Sequence, residues 1–137
     1  MPLESPDRPV ALQIRVYYED TDAGGVVYYA NYLKYFERAR TEWLRHLGLD
    51  QSRLAQTERR VFVVKNVEIQ YRKPARLDDE LTVLTRVSHL GRASMRFEQS
   101  ALRGDELLSQ ATVTVCCVDV DSFRPVDLGP TITTLLK

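Results

Sequence analysis

One segment, from about Tyr29 to Leu47, constrains the fold more than any other. Tyr32, Phe36, Ala39, Trp43 and Leu47 recur at intervals of three and four, flanked by Ala30, Leu33, Tyr35 and Leu44. That spacing lines up side chains on one face of an α-helix. Gly48 follows as the stop, and Arg45 and His46 sit in the last turn, where positive charge suits the helix dipole. At 1.5 Å per residue the helix is roughly 30 Å long. Its apolar stripe is wide enough to require burial on more than one side.

The rest of the chain reads mainly as strands. Before the helix, Leu12, Ile14, Val16 and Tyr18 alternate with Gln13, Arg15 and Tyr17 until DTDAGG breaks the pattern. Residues 50–57 read as a short helix or irregular connection. After Arg60, Val61, Val63, Val67, Ile69 and Tyr71 mark a strand that ends before Pro74 and the Leu77-Asp78-Asp79 turn. Leu81, Val83 and Val87 mark the next, up to Gly91; Ala93, Met95 and Phe97 a third, up to the hairpin signal Gly104-Asp105; and Leu107 to Val120 the last. One strand, one long helix and four strands joined by short turns predict an α+β domain of two layers. Consecutive strands are expected to pair antiparallel, with the helix buried on the sheet. A single domain over 1–137 is expected, with a loose tail over 1–9 and a carboxy-terminal tail over 124–137.

Composition narrows the partners. Lys plus Arg equals Asp plus Glu, 19 against 19, which points to neither nucleic acid nor an anionic membrane and leaves copies free to associate. No stretch approaches the ~18–20 apolar residues of a membrane span. MPLESPDRPV has no apolar core of a secretory leader. Cys116 and Cys117 are adjacent on a strand, so their side chains point to opposite faces and are poorly placed to bridge. A reducing, cytoplasmic setting is the simplest expectation.

Several chemistries lack their residues. There is no G-x-S-x-G elbow, P-loop or G-x-G-x-x-G, and the two histidines, His46 and His89, are far apart in sequence. DTDAGG resembles the start of a calcium loop but has Gly24 in place of a third oxygen ligand and Asn31 in place of the closing Glu. What remains is a carboxylate ahead of a helix start. The first N–H groups of a helix lack intrahelical partners and carry the positive end of its dipole, so a carbonyl docked there is polarised. If Tyr29 opens the helix, its backbone N–H is the donor. Gly24 and Gly25 let the backbone pass close to a ligand, and a carboxylate opposite attacks the carbonyl or activates water. The same residues also read as turn chemistry with a capping Asp, and the stretch alone leaves both readings open.

VYYEDTDAGGVVYYANYLKYFERARTEWLRHLGL, with RRVFVVKNVEIQYRKPARLDDEL and the VCCVD strand, closely resembles the hotdog-fold acyl-CoA thioesterases found with the Tol-Pal cell-envelope system. More distantly it is similar to hydroxybenzoyl-CoA thioesterase. The resemblance runs from about Arg15 to Val120. It implies a hotdog fold, a five-stranded antiparallel sheet wrapped around one long central helix. It also implies hydrolysis of acyl-CoA to free acid and CoA with no cofactor, coenzyme A being part of the substrate. Sheets paired edge to edge as dimers or tetramers are implied too, with active sites at subunit interfaces.

Residue by residue, the resemblance puts the catalytic carboxylate, nucleophile or general base, on Asp22 and the polarising amide on Tyr29. The Tol-Pal-associated enzymes usually carry histidine at this position and the hydroxybenzoyl-CoA type tyrosine. Arg92 and Ser94 match positions that contact the nucleotide in the latter. From charge alone, Arg72 and Lys73 are further phosphate candidates, and Tyr32, near the helix start, is a candidate for the acyl pocket. Glu37, Arg38 and Arg40 read as ion-pairing groups. Two rival functions share the fold: a module docking acyl carrier protein or an envelope partner, and a hydratase or dehydratase, which typically needs a catalytic histidine.

Overall fold

The alternating and helical patterns condense into one sheet and one dominant helix in the computed structural model, which describes residues 9–136. The strands are β1 (Val10–Arg15), β2 (Arg60–Tyr71), β3 (Glu80–Leu90), β4 (Ser94–Arg103) and β5 (Glu106–Asp119). The helices are α1 (Asn31–His46), α2 (Gln51–Thr57) and α3 (Pro130–Leu135), with a 3-10 turn at Tyr18–Asp20. The expected amino-terminal tail lies, but for Pro9, outside the described residues. The segment past residue 124, expected as a tail, carries α3 and buries Leu128, Ile132 and Leu136. Pro130 opens α3 at a position where its missing N–H has no intrahelical partner to lose.

All five strands are antiparallel, in the order β1-β3-β4-β5-β2. Consecutive pairing holds for β3–β4 and β4–β5 but fails for β2 and β3: β2 pairs with β5, and β3 takes β1 as its other neighbour. The 72–79 connector is therefore a crossover along one end of the sheet, not a hairpin. Its backbone is already committed there. Val16 N–H donates to the Asp79 carbonyl at 2.9 Å and Asp78 N–H to the Val16 carbonyl at 3.0 Å, which seats the end of β1 beside β3.

The inward face of the sheet is Leu81, Val83 and Val87 of β3, Met95, Phe97 and Ala101 of β4, and Val113, Val115 and Cys117 of β5, all buried. Against it α1 buries Tyr32, Tyr35, Phe36, Ala39, Trp43 and Leu44; removing each large apolar side chain from water stabilises the fold by roughly 1.5–3 kcal/mol. Trp43 meets Phe97 edge-on, with centroids 5.3 Å apart. α1 ends as its sequence dictates. Gly48 takes φ +91°, and Gly48 and Leu49 N–H donate to the Arg45 and Leu44 carbonyls.

One inward position is polar. Gln99 donates to the Phe36 carbonyl at 2.8 Å and the Thr85 hydroxyl at 2.9 Å, and accepts from Arg40 at 3.0 Å. Arg40, read in the sequence as ion-pairing, is thus tied to the core, and burial pulls its guanidinium below its ordinary pKa while Glu37 opposes that. A five-stranded antiparallel sheet around one long helix is the hotdog arrangement that the resemblance implies. β2, at the edge, leaves one side unpaired and exposes Val64 and Val67.

Candidate active site

DTDAGG folds as a small hairpin at the end of the sheet where β2 finishes and β3 begins. Thr21 bridges Val27, Asp22 N–H donates to the Val26 carbonyl at 2.9 Å, and Gly25 N–H closes the turn onto the Asp22 carbonyl at 3.0 Å. Gly25 sits at φ +78°, a left-handed conformation that explains glycine there. Gly24 N–H donates to Asp22 Oδ1 at 2.8 Å. Asp22 is exposed, and its Oδ2 has no hydrogen-bond or ion-pair partner among the described residues. The hairpin is moored to the crossover: Val26 bridges Arg76, and Val27 N–H donates to the Ala75 carbonyl at 2.8 Å.

The return strand leads straight into α1. The helix starts at Asn31, two residues later than expected from the sequence, because the entry is wound more tightly. Asn31, Tyr32 and Leu33 N–H groups donate three residues back, to the Tyr28, Tyr29 and Ala30 carbonyls. Ala30 at the helix cap makes no side-chain cap bond, and the first turn holds no acidic residue. The N–H groups of Tyr29 and Ala30 have no acceptor among the described residues. Two free donors at the positive end of the dipole make an anion-stabilising head. Asp22 lies opposite Val26, and Tyr29 follows three residues later, at most about 10 Å further along the chain.

Tyrosines wall this head. Tyr28 and Tyr29 rings stand 4.9 Å apart, and Tyr71 approaches Tyr29 edge-on at 6.0 Å. The Tyr71 hydroxyl donates to the Tyr29 carbonyl at 3.1 Å. The Tyr29 hydrogen bond and field, desolvation and the nearby Asp22 carboxylate all push the Tyr28 phenol upward; desolvation, with Tyr29 and Tyr32, does the same to Tyr71. The Tyr28 and Tyr71 phenols therefore stay protonated at neutral pH.

Other expected site residues are distributed unevenly. Tyr32 is buried, with its hydroxyl accepting from Ala75 N–H at 3.1 Å; it braces the crossover beneath Tyr71 and offers almost no surface to a ligand. Arg72 bonds Gln110 at 3.0 Å and Lys73 pairs with Glu106 at 2.8 Å, both near the site but already engaged. Arg92 and Ser94 are not brought to it. Tyr71 pairs with Ser109, which pairs with Ala101, and Ser94 is seven residues back along β4, about 23 Å away at 3.3 Å per residue. His46 and His89 are exposed at the far ends of α1 and β3.

The sequence reading missed Tyr71, Asn31 and the backbone of Asp20. Asn31 Nδ2 donates to the Asp20 carbonyl at 2.8 Å. An Asn in the first helical turn is a local signal of side-chain-to-backbone bonding. Tyr71 lies 42 residues from Tyr29, and nothing local announces that contact.

Residues 16–134 match the Thioesterase-like superfamily. The chain is 51% identical over 120 residues to the acyl-CoA thioesterase YbgC of Haemophilus influenzae, covering 88% of each protein. It is 45% identical over 125 residues to the acyl-CoA thioester hydrolase YbgC of Escherichia coli, covering 90% of this chain and 92% of that one. The crystal structure of a probable thioesterase from Bartonella henselae superposes with a TM-score of 0.85 at 40% identity, over 88% of this chain and 99% of that one. The chain that carries this uncapped helix head and the exposed Asp22 carboxylate belongs to the thioesterase-like superfamily.

Proposed function

We propose that this chain hydrolyses acyl-CoA thioesters, with Asp22 as nucleophile or general base and the Tyr29 backbone N–H polarising the thioester carbonyl. The observation that carries the reading is the pairing of an exposed carboxylate, one oxygen fixed by Gly24 and the other free, with an unpartnered amide at the head of α1. In the nucleophilic route Asp22 Oδ2 bonds to the acyl carbon, the C–S bond breaks, and CoA leaves as thiolate. Water then cleaves the mixed anhydride. In the general-base route Asp22 takes a proton from water as its oxygen attacks, and thiolate leaves and is protonated. Either way negative charge builds on the carbonyl oxygen, where the free N–H and the helix dipole stabilise it. Thiolate is a good leaving group, so no strong general acid is required.

The assembly is part of the proposal. A copy pairing its β2 edge antiparallel to this one lays the opposite end of its own sheet beside Asp22 and Tyr29. Arg92 of the partner subunit then reaches toward the coenzyme phosphates that this chain's Arg92 is too far away to meet. Exposed Val64 (51%), Tyr71 (45%) and, on α1, Leu33 (44%) support that contact, since an unpaired apolar edge invites pairing. A cytoplasmic location and association with the Tol-Pal system belong to the same reading. Unbridged Cys116 and Cys117 support the former, and no helix among the described residues is long and apolar enough to cross a membrane.

The test is an acyl-CoA panel from short aliphatic to benzoyl, followed by free-thiol release. Asp22→Asn and Asp22→Ala are expected to abolish turnover with the fold and oligomer intact; wild-type rates in both remove the mechanism. In a single turnover in heavy-oxygen water, label found in Asp22 marks the anhydride route, with water attacking the Asp22 carbonyl carbon. Hydration of an enoyl-CoA without thiol release would favour the hydratase instead.

A further inference from the structure

Building on the catalytic reading above, we propose that Asn31 is a positioning residue that sets Asp22 against the Tyr29 amide. The Asp20 carbonyl accepts two hydrogen bonds, from Tyr28 N–H at 2.9 Å and from Asn31 Nδ2 at 2.8 Å, which fill the acceptor capacity of a carbonyl oxygen. The first bond lies within the DTDAGG hairpin, whose other ties are the Thr21–Val27 bridge and the Asp22 N–H bond to Val26. Those fix the hairpin's shape. They do not fix its tilt relative to α1, because the chain between them turns through Tyr29 and Ala30, whose N–H groups are free. The Asn31 side chain spans that joint, tying the first helical residue to the end of the 3-10 turn, two residues before Asp22.

Its role separates cleanly from helix formation. Asn31's own backbone N–H already donates to the Tyr28 carbonyl at 2.8 Å, so α1 starts without the carboxamide. The hairpin is also moored to the crossover through Val26 and Val27; toward α1 its other side-chain support is looser, the Tyr35 hydroxyl lying buried beside the Asp20 carboxylate without a completed hydrogen bond. Without Asn31 Nδ2 the carboxylate keeps its environment but loses its aim. Misplacement of a reacting group by 1 Å costs about 10²-fold in rate.

Asn31→Leu and Asn31→Asp are compared with wild type for kcat and KM on the acyl-CoA panel, alongside thermal melts and oligomeric state. Leu removes the donor at similar volume, and Asp sets an acceptor against the Asp20 carbonyl. The expected result is a fall in kcat of about ten-fold or more in both, with KM and melting temperature near wild type. A kcat within about two-fold of wild type in either variant, or a loss that appears only together with a lowered melting temperature in both, overturns the assignment. Asp22→Asn runs in the same assay. If it stays active, the catalytic reading itself fails; if it is dead while Asn31→Leu is fully active, only the positioning role does.

Discussion

Gly24 and Gly25 are neighbours in one turn, yet the geometry assigns them opposite consequences on substitution by alanine. A Cβ on Gly25 would meet nothing within 4 Å, but the residue sits at φ +78°. There an L-residue costs about 1–2 kcal/mol, partly offset by about 0.4–1 kcal/mol from the restricted unfolded chain. The net is a loss of about 1 kcal/mol, or a melting temperature lower by about 3–6 °C for a domain of this size. Gly24 is outside the left-handed region, so alanine there carries no such strain. Its Cβ would instead stand 3.2 Å from Asp22 Oδ1, and the carboxylate must give way by a few tenths of an ångström. At two powers of ten in rate per ångström, a shift of ~0.3 Å costs about four-fold in kcat.

Thermal melts and acyl-CoA turnover on both variants test this directly. Gly24→Ala is expected to keep or slightly raise the melting temperature while slowing turnover. Gly25→Ala is expected to lower the melting temperature, with kcat changed less than stability implies. Identical profiles for the two, or a Gly24→Ala enzyme that is destabilised but fully active, would refute the claim that Gly24 serves the carboxylate and Gly25 the backbone.

Two other outcomes follow from the core and the charges. Gln99→Ala leaves the buried Thr85 hydroxyl and the half-buried Arg40 guanidinium without the partner that Gln99 supplies, and at about 1–3 kcal/mol for a buried group left unpaired urea unfolding should register a loss of that size. On the acid side, burial raises the Asp79 pKa, but its bonds to Arg103 and the Arg76 N–H outweigh that and leave it below 3.8; Lys73 and Arg103 hold Glu106 below 4.5. Both pKa values are lower folded than unfolded, so their contribution is complete above those ordinary values and is lost as pH falls through the depressed ones. Arg103→Met should therefore flatten the decline in melting temperature below pH ~4; an unchanged acid limb means that the Arg103 pairs contribute nothing to it.

The fold was legible where periodicity is local. Tyr32, Phe36, Ala39, Trp43 and Leu47 announce α1, and each is buried. The alternation at Met95 and Phe97 announces β4 in the same way. The crossover was not legible, because a strand pattern specifies which face is buried but not which neighbour it meets. The 72–79 segment looks like any short turn until Val16 binds Asp78 and Asp79 from 62 and 63 residues away. Gln99 was hidden for a related reason: its inward position breaks the apolar rule, and only its three partners explain it.

The candidate site divides along the same line. Asp22, Gly24, Gly25 and Tyr29 fall within eight residues, so a hairpin and a helix start bring them together without help from the rest of the chain, and their spacing could be read. Arg92 and Ser94 are different in kind. Their displacement of about 23 Å along β4 follows from strand direction, which the sequence order does contain: β4 begins at one end of the sheet and β2 finishes at the other. No bend of a single chain brings a β3–β4 turn to the end of β2 while those ladders hold. If that turn contacts the nucleotide, the contact is made across a subunit boundary, and a monomeric variant made by placing a charge on the β2 edge must lose coenzyme affinity while keeping the Asp22 hairpin intact.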